Sequence, residues 1–594
     1  MATEITVGMA GAAGDGLDRT GDTLARTAAR LGLHLFTYNS YQSLIRGGHT
    51  WLRLRLSEEK VDNHGDHLNV LVALNQDGIE RHAREVEAGG AIIFNGSKLH
   101  CDPSLVPEGV ALVPIPVTEI TAKLGKLPPV MQNTAALGAL LHLMGFDVEV
   151  AAEILAETFK KKGQEVIDQN VGVLRAGHGY AAEHARPLGQ PWSFSRKRRP
   201  VVTGNQMIAL GAVAGGCKFY SAYPMSPASF ILHWLASHSE QVGVLVKQAE
   251  DELAVVNLAS GAGHAGVRAM CATSGGGFAL MTEAIGMAGM IETPVVVVNV
   301  QRGGPSTGMP TRTQQADILL CAYASHGDTK HVLLFPEDPR ELFEFAAQSF
   351  DLAERLQTPI FVMEDLDIGM NDWLCAPFAW DDSKAYDRGK VMTYEELEAG
   401  KTFGRYLDVD GDAIPYRTMP GTHPTKGAYF TRGTSRDRYA RYTEEGAPYA
   451  DNMQRLIRKF ETAKDLVPRP LQANAAKPTK YGVIYYGSTS PAMDEAIHMI
   501  EARGQSLNRL RVRAFPFHSS VTSFVADHDF VFVVEQNRDG QLRSLIVNEC
   551  GIDPIRLVPI LHYDGTPITA RFIARAIGDH LDALKVTPLR KVVS

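Results

Sequence analysis

The sequence has few cysteines, little net charge and no long apolar run, and each shortage excludes a class of protein. Six cysteines are scattered along 594 residues without a Cys-x-x-Cys pair, so neither a disulfide framework nor a self-contained iron–sulfur or zinc site is expected. The net charge of −8 gives no indication of a surface for nucleic acid or an anionic membrane. No stretch approaches the roughly 20 apolar residues of a membrane span, and the N-terminus has no signal-peptide pattern. A cytoplasmic protein is expected.

Glycine is abundant, with 55 residues, and strand-like segments alternate with helix-like segments along most of the chain. This alternation predicts an α/β fold with mainly parallel open sheets. A chain of 594 residues exceeds the roughly 250–300 residues that one hydrophobic core supports, so we predict three domains. A Pro-rich, basic linker at 185–199 and a long irregular stretch separate them. The predicted ranges are 1–185, 200–365 and 478–594, with 366–477 as an extended connecting segment.

Three segments carry polar groups where a strand is expected to end and a helix to begin. They are Ser221–Ser229, Gln248–Ala254 and Thr273–Gly277. In open parallel sheets, ligands bind at the carboxyl ends of strands. The three segments therefore predict one wall of a ligand site in the middle domain.

The order and the residues of these segments resemble the pyrimidine-binding domain of the 2-oxoacid:ferredoxin oxidoreductases, which use thiamine diphosphate. The segment Ser40–His49 resembles the gamma domain of that family, and Val533–Asn537 with Gly540-Gln541 resembles a transketolase C-terminal-type domain. A gamma domain fused ahead of an alpha subunit is typical of the 2-oxoglutarate enzymes. The resemblance implies a gamma domain over 1–185, a thiamine-diphosphate-binding domain over 200–365 and a transketolase-type domain over 478–594.

Glu252 is the candidate acid of this site. Thiamine diphosphate needs a carboxylic acid that hydrogen-bonds N1′ of its aminopyrimidine ring and favours the imino tautomer, whose nitrogen removes the C2 proton. On a helix that follows a strand, one acid of Glu250–Glu252 should face the site, and the resemblance assigns Glu252. Alternatively, these acids only complement the dipole at a helix N-terminus.

Two further side chains suit substrate binding. Ser226 lies between two prolines, which hold its hydroxyl in a rigid, extended loop. Arg302 follows a strand made almost entirely of valine, where a guanidinium can grip a carboxylate with two parallel hydrogen bonds. The alternatives are an ordinary turn serine and a solvated arginine in a surface loop. Ser229 is predicted to be the N-cap of the next helix.

The resemblance adds roles to these residues. It implies that Glu252 contacts the aminopyrimidine and that Arg302 and Thr311 bind the 2-oxo-carboxylate. Ser226 stands where many relatives carry threonine, so the hydroxyl is kept. The remaining residues predicted to bind the cofactor are Tyr223, Pro224, Ser274 and Gly275. No metal ligand is predicted in this chain.

Glycine-rich turns near the N-terminus give weaker signals. Gly11–Gly16 has the spacing Gly-x-x-Gly-x-Gly, which differs from the dinucleotide fingerprint Gly-x-Gly-x-x-Gly. Gly14-Asp-Gly16, with Asn39 downstream, superficially resembles the magnesium and diphosphate signature of thiamine enzymes, but the gap is short and only one Asn is present. We therefore find no convincing diphosphate motif, and half of the cofactor site is expected on another polypeptide.

The family implies that this polypeptide is a beta subunit that carries Mg²⁺, the diphosphate motif and a [4Fe–4S] cluster, in an (alpha–beta)₂ assembly. The expected reaction converts 2-oxoglutarate, coenzyme A and oxidised ferredoxin into succinyl-CoA, CO₂ and reduced ferredoxin. Pyruvate or a broad range of 2-oxoacids is the alternative substrate. Two alternatives come from other classes. Four converging polar groups argue against a non-catalytic scaffold subunit of a redox complex, and the broken glycine fingerprint argues against a nicotinamide-dependent dehydrogenase.

Overall fold

The computed structural model describes residues 3–40, 47–124, 131–189, 191–195, 197–378, 381 and 383–586. The chain divides into two compact units. The first unit comprises residues 1–203, 370–378 and 569–571, and the second comprises 204–369, 379–568 and 572–594. No helix among the described residues combines the length and the apolar character that a membrane crossing requires.

The first unit is built on a mixed sheet with helices packed against it. The strands are β1 (Glu4–Ala13), β2 (His34–Ser40), β3 (Gly47–Ser57), β4 (Leu68–Ala73), β5 (Val86–Asn95), β6 (Ala111–Ile115), β7 (Val201–Val202) and β14 (Trp373–Leu374). They lie in the order β6-β5-β4-β1-β3-β2-β14-β7. The helices are α1 (Leu17–Arg30), α2 (Gln76–His82), α3 (Val117–Lys123), α4 (Gln132–Leu143), α5 (Val148–Phe159) and α6 (Gln164–His184).

Two features of this unit were not predicted. β3 pairs antiparallel with both β1 and β2, although β1 pairs in parallel with β4. Alternating leucines and arginines in β3 bury the leucines on one face, which is typical of antiparallel strands. The second is a further long helix, α6, after α5. A Cβ atom at Gly177 of α6 would lie 2.1 Å from the Ala135 carbonyl oxygen, so glycine allows α6 to pack closely on α4.

The second unit contains two further sheets. The strands of the larger one are β8 (Phe219–Ala222), β9 (Leu245–Gln248), β10 (Ala269–Thr273), β11 (Val295–Gln301), β12 (Val332–Leu334), β13 (Pro359–Asp365) and β18 (Ala514–Phe515). They lie in the order β18-β12-β13-β11-β10-β8-β9, and β18 alone among them pairs antiparallel. Every residue of the valine-rich β11 is buried, as expected for a parallel strand that is covered on both faces.

The smaller sheet follows later in the chain. Its strands are β15 (Leu471–Ala473), β16 (Tyr481–Tyr485), β17 (Asn508–Arg511), β19 (Phe530–Glu535) and β20 (Leu557–Leu561), in the order β15-β17-β16-β19-β20. The helices of the second unit are α7 (Gly204–Ala214), α8 (Ser229–Val242), α9 (Glu252–His264), α10 (Gly275–Ile291), α11 (Ile318–Ala322), α12 (Pro339–Leu356), α13 (Leu366–Met370), α14 (Tyr394–Glu398), α15 (Gly446–Ala463), α16 (Thr489–Ala502), α17 (Ser519–Ala526), α18 (Gln541–Cys550) and α19 (Ala570–Val586). The predicted α/β fold with three mostly parallel sheets is confirmed.

The segment 366–477, predicted to be an extended connection, contains the long helix α15. Buried charges tie α15 to the end of α10. Nζ of Lys459 lies 2.8 Å from the Glu292 carboxylate, and Arg455 donates to the same group. Burial lowers the pKa of Lys459 to about 8. Burial alone would raise the pKa of Glu292, but the two cations hold it well below its usual range. The domain boundaries themselves stay a prediction.

Candidate active site

Four parallel strands of the second unit end at one edge of their sheet. β8 is followed by residues 223–228, β9 by 249–251, β10 by Ser274 and β11 by 302–317. Each predicted site residue lies in one of these connections or begins the helix after it. Because parallel strands place their carboxyl ends at the same edge, the structure gathers the predicted residues along one side of the sheet.

Glu252 is the acid that turns inward. It is the first residue of α9 and is 4% exposed, whereas Glu250 is exposed. The helix is capped by its neighbour Asp251, which accepts from the Ala254 amide at 2.8 Å. Oε1 of Glu252 is buried and has no hydrogen-bond partner among the described residues. Helix capping therefore does not explain why Glu252 is buried. One of its carboxylate oxygens is left for another hydrogen-bond donor.

The glycine run after β10 brings the backbone against this acid. A Cβ atom at Gly277 would lie 2.7 Å from Oε1 of Glu252 and 2.1 Å from Oγ1 of Thr273, so no larger residue fits without a shift. Ser274, fully buried, precedes the helix, and within the described chain its hydroxyl also has no partner. The start of α10 and the start of α9 thus enclose two buried, unpaired oxygen atoms.

Arg302 joins two of the strand ends. Its NH1 group donates to the Ser226 carbonyl oxygen at 2.6 Å, and its Nε is buried without a partner in the described part of the chain. Burial lowers the pKa of Arg302, while the charges of Asp317 and Glu252 act in the opposite direction. No described carboxylate forms an ion pair within 4 Å of this guanidinium. It is a largely buried cation that retains the capacity to bind an anion.

The other predicted residues lie less deeply. Tyr223 is 39% exposed, and Pro224 and Ser226 are exposed. Thr311 is half-buried, and its carbonyl oxygen accepts from Arg312 at 3.0 Å. The structure brings Arg302 to the Ser226 backbone, but no contact in it joins the Thr311 side chain to Arg302. The assignment of Thr311 stays a prediction.

One local prediction is wrong. The N-cap of α8 is Ala228, and Ser229 is the first helical residue. Ala228 has helical dihedral angles and makes no side-chain cap. The amide of Ser229 bonds instead to the Met225 carbonyl oxygen at 3.0 Å, so the loop backbone already satisfies the first turn.

Buried polar residues that were not predicted from the sequence hydrogen-bond one another at this edge of the sheet. Asn299 and Gln301 are buried in the otherwise apolar β11. The Asn299 side chain donates to Asp317 Oδ2 at 3.2 Å, and Gln301 accepts from the Asp317 amide at 3.0 Å. Burial raises the pKa of Asp317 to about 6. A Cβ atom at Gly275 would meet this carboxylate at 2.5 Å. The sequence feature that could have revealed these residues is the pair of amide side chains, Asn299 and Gln301, within a run of valines.

The outer surface beside the site is unusually apolar. β9 is an edge strand, and Leu245 in it is 67% exposed. Phe230, Leu253 and Leu280, on the three helices that follow β8, β9 and β10, are each about half exposed. Exposed apolar side chains on an edge strand and on the helices next to it are typical of surfaces that contact another chain.

A separate cavity of about 990 Å³ lies between α10, α15 and the segment 323–332. Met287, Met453 and Phe460 contribute to its apolar lining. None of the predicted site residues borders it.

The glycine-rich turns of the first unit are satisfied internally. Asp15, in Gly14-Asp-Gly16, turns back and accepts from the Ala12 amide at 2.8 Å. In the segment Ser40–His49, residues 41–46 lie outside the described residues.

Two family models match most of the chain. Residues 210–461 match the model described as pyruvate flavodoxin/ferredoxin oxidoreductase, thiamine diP-bdg, and residues 6–180 match pyruvate ferredoxin/flavodoxin oxidoreductase. The 2-oxoglutarate synthase subunit KorA of Methanocaldococcus jannaschii is 45% identical over 53% of this chain and 82% of that protein. The chain belongs to the 2-oxoacid:ferredoxin oxidoreductase family, as an alpha subunit.

Similarity to other alpha subunits extends over the full length. The alpha subunit of 2-oxoacid:ferredoxin oxidoreductase 2 from Aeropyrum pernix is 28% identical over 97% of both chains. A solved structure of the 2-oxoglutarate:ferredoxin oxidoreductase from Magnetococcus marinus, with 2-oxoglutarate, coenzyme A and succinyl-CoA bound, aligns with a TM-score of 0.88 and 29% identity. That alignment covers 97% of this chain and 99% of the other. The middle of this alpha subunit therefore has the fold of a thiamine-diphosphate-binding domain.

Proposed function

We propose that this alpha subunit, together with a beta subunit, oxidatively decarboxylates 2-oxoglutarate. The balanced reaction is 2-oxoglutarate, coenzyme A and two oxidised ferredoxins giving succinyl-CoA, CO₂, two reduced ferredoxins and one proton. The observation that carries the proposal is the buried, unpaired Glu252 Oε1 at the strand edge, enclosed by Gly277. Burying a polar atom without a hydrogen-bond partner costs roughly 1–3 kcal/mol of folding stability. A ligand that bonds to the atom recovers this free energy.

The residues at this edge fit the aminopyrimidine half of thiamine diphosphate. Glu252 offers an acid oxygen, Ser274 offers a hydroxyl, and the missing side chain at Gly277 lets the backbone pack against the Glu252 carboxylate. When bound, the cofactor supplies the carbon nucleophile and the electron sink for decarboxylation. Glu252 holds a proton at the ring nitrogen, and the buried helix starts exclude water around it.

Arg302 is proposed to hold the carboxylate of the 2-oxoacid. Its NH1 group is already oriented by the Ser226 carbonyl, while Nε remains for the substrate. A guanidinium fixed in this way keeps the leaving carboxylate at one position until CO₂ departs. The hydroxyls of Ser226 and Thr311 are proposed to complete this pocket, with Tyr223, Pro224 and Gly275 along the cofactor.

A beta subunit is proposed to supply the rest of the site: the diphosphate motif, Mg²⁺ and the [4Fe–4S] cluster. Two observations support it. The six cysteines of this chain are dispersed, and each is a free thiol in the structure. Apolar side chains are exposed beside Glu252, on the edge strand and the helices that follow. An (alpha–beta)₂ assembly with ferredoxin as electron acceptor is the proposed complete enzyme.

No described cluster replaces these metal sites. Within the described ranges, the one group of three metal-ligand side chains is Asp408, Asp410 and Asp412. The Lys390 ammonium lies 2.7 Å from both Asp410 and Asp412, which neutralises much of that charge. Lys390 therefore occupies the position that a cation would take.

The choice of 2-oxoglutarate is tested with the complete enzyme. We expect kcat/KM for 2-oxoglutarate to exceed that for pyruvate by 10² or more, because a site that binds a second carboxylate leaves its own charged group unpaired with a shorter substrate. The assay is coenzyme-A-dependent reduction of ferredoxin with pyruvate, 2-oxobutyrate and 2-oxoglutarate in parallel. Equal values would favour an oxidoreductase with broad 2-oxoacid specificity; the Aeropyrum pernix relative is named only as a 2-oxoacid:ferredoxin oxidoreductase.

A further inference from the structure

The loop 302–317 carries two of the three predicted substrate-binding residues, Arg302 and Thr311, and its first part closes on itself. The Gly303 amide donates to the Arg312 carbonyl oxygen at 2.9 Å, and the Met309 amide donates to the Gly303 carbonyl oxygen at 2.8 Å. These bonds keep the loop compact. These two bonds lie within the loop, and its far end makes further bonds to the rest of the second unit.

The far end of the loop is attached to the smaller sheet of the second unit. The Gln315 amide donates to the Gln536 carbonyl oxygen at 2.8 Å, and Asn537 Nδ2 donates to the Gln315 carbonyl oxygen at 3.0 Å. The Gln541 side chain then makes two bonds. Its Nε2 donates to the Ala316 carbonyl oxygen at 2.6 Å, and its Oε1 accepts from the Leu319 amide at 3.1 Å.

The attachment point is itself rigid. Glu535 and Asn537 are almost completely buried. Asn537 Nδ2 also donates to the Glu535 carboxylate at 2.7 Å, and Asn537 Oδ1 accepts from the Gln541 amide at 3.2 Å. The Leu542 amide donates to Glu535 at 2.8 Å. The turn between β19 and α18 is therefore fixed before it contacts the loop.

We propose that Gln541, supported by Asn537, is a positioning residue for the 2-oxoacid reaction. It fixes the backbone at Ala316 and Leu319, and so holds the loop that carries Arg302 in the orientation that meets the substrate carboxylate. Gln541 itself contacts neither substrate nor cofactor. The inference rests on the proposed role of Arg302. It also gives a function to the motif Val533–Asn537 with Gly540-Gln541, which the substrate site does not use directly.

The geometry separates substrate binding from cofactor binding. Glu252 begins α9 and Ser274 precedes α10, and neither belongs to the loop or bonds to Gln541 in the described structure. A loop that is misdirected by about 1 Å can cost on the order of 10²-fold in rate or binding. A change at Gln541 should therefore affect the 2-oxoacid and leave thiamine diphosphate unaffected.

The test replaces Gln541 with alanine in the complete oxidoreductase. We expect Gln541→Ala to raise KM for the 2-oxoacid about 10-fold or more, while the affinity for thiamine diphosphate changes less than about twofold. The matched control is Gln472→Ala, since Gln472 is an exposed glutamine on β15 of the smaller sheet. An unchanged KM, or a parallel loss of cofactor affinity that indicates general damage, would overturn the inference.

A double-mutant cycle with Arg302→Lys gives the second readout. If Gln541 acts through Arg302, Gln541→Ala should change KM less than about twofold in the Arg302→Lys background, because the oriented group is already lost. Additive effects would overturn the link between the two residues. An Arg302→Lys enzyme with normal KM contradicts the proposed role of Arg302, whereas a normal Gln541→Ala enzyme beside a defective Arg302→Lys enzyme contradicts only the positioning role.

Discussion

Two sheet edges of this molecule hold clusters of polar side chains, and the clusters differ in how they are paired. At the edge of the second unit, Glu252 Oε1, Ser274 Oγ and Arg302 Nε are buried without partners in the described chain. In the first unit, His49 at the start of β3 meets His82 at the end of α2, with 2.8 Å between their Nε2 atoms.

Carboxylates complete the histidine cluster on both sides. Nδ1 of His49 lies 2.9 Å from Asp77, and Nδ1 of His82 lies 2.7 Å from Glu85. The two rings are stacked, with centroids 5.0 Å apart. The cluster runs from the Asp77 carboxylate through two imidazoles to the Glu85 carboxylate, with each group within 3 Å of the next.

The difference indicates what each edge is for. Unpaired buried polar atoms lower stability, and natural folds keep them mainly where function requires them. Paired groups recover most of their desolvation within the fold. We infer that the first cluster contributes to the stability of its unit and that the second is incomplete until its ligands bind. Mutations in the first cluster should therefore mainly lower stability, whereas mutations in the second cluster should mainly lower activity.

The largest effect is expected at Glu252. Glu252→Gln should lower kcat by 10²–10⁴, because an amide cannot act as the acid that holds the ring nitrogen's proton. The melting temperature of the chain should not fall, since Glu252 Oε1 makes no bond that the change would break. Kinetics of the complete enzyme and thermal unfolding measure the two quantities. Glu250→Gln, an exposed neighbour, is the control. A crippled Glu250→Gln enzyme beside a normal Glu252→Gln enzyme would show that the wrong acid was chosen.

The next effect concerns Arg302. Arg302→Lys should raise KM for the 2-oxoacid by roughly 10–10²-fold, because an ammonium group cannot reproduce two parallel bonds to a carboxylate. The affinity for thiamine diphosphate should be unchanged. Steady-state kinetics and a cofactor titration provide the readouts, with Arg340→Lys, on the exposed face of α12, as control. Unchanged kinetics would return Arg302 to the role of a solvated loop residue.

The sequence predicted those parts of the site that depend on local pattern. The change from strand to helix placed Glu252, Ser274 and Arg302 just after the ends of strands, and the structure has them there. The buried partners of the site were not found. Asp317 bonds to Asn299 across 18 positions, and Gln541 reaches Ala316 across 225 positions. Periodicity reports which face of an element is apolar, but it carries no information about which distant loop a side chain will meet.

The fold shows the same limit. The parallel strands around β11 were predicted because buried parallel strands are continuously apolar. The antiparallel β3 was missed, although its alternating leucines were visible. His49 belongs to a segment that was recognised, but its partner His82 lies 33 positions away on α2. Such side-chain contacts depend on the tertiary fold, and a single sequence does not reveal them.

The smallest predicted effect is a pH dependence at the histidine cluster. Burial, together with the neighbouring His82, holds the pKa of His49 below its usual range, against the opposing attraction of Asp77. In the unfolded chain a histidine has a pKa of about 6.5. The folded state therefore binds fewer protons than the unfolded state below that pH, and the stability of the first unit should fall as the pH drops from about 7 to 5.

Hydrogen exchange of β3 and α2 measures this locally, with rates corrected for the intrinsic pH dependence of exchange. We expect the protection of these amides to decrease on acidification by about 1 kcal/mol or less in free energy, since a partly exposed pair is screened by solvent. His49→Gln should flatten that slope, because glutamine does not titrate. His100→Gln, which changes an exposed histidine of the same unit, should keep it. If His49→Gln retained the full slope, another group would carry the pH dependence, and the chain of paired charges would lose its assigned part in stability.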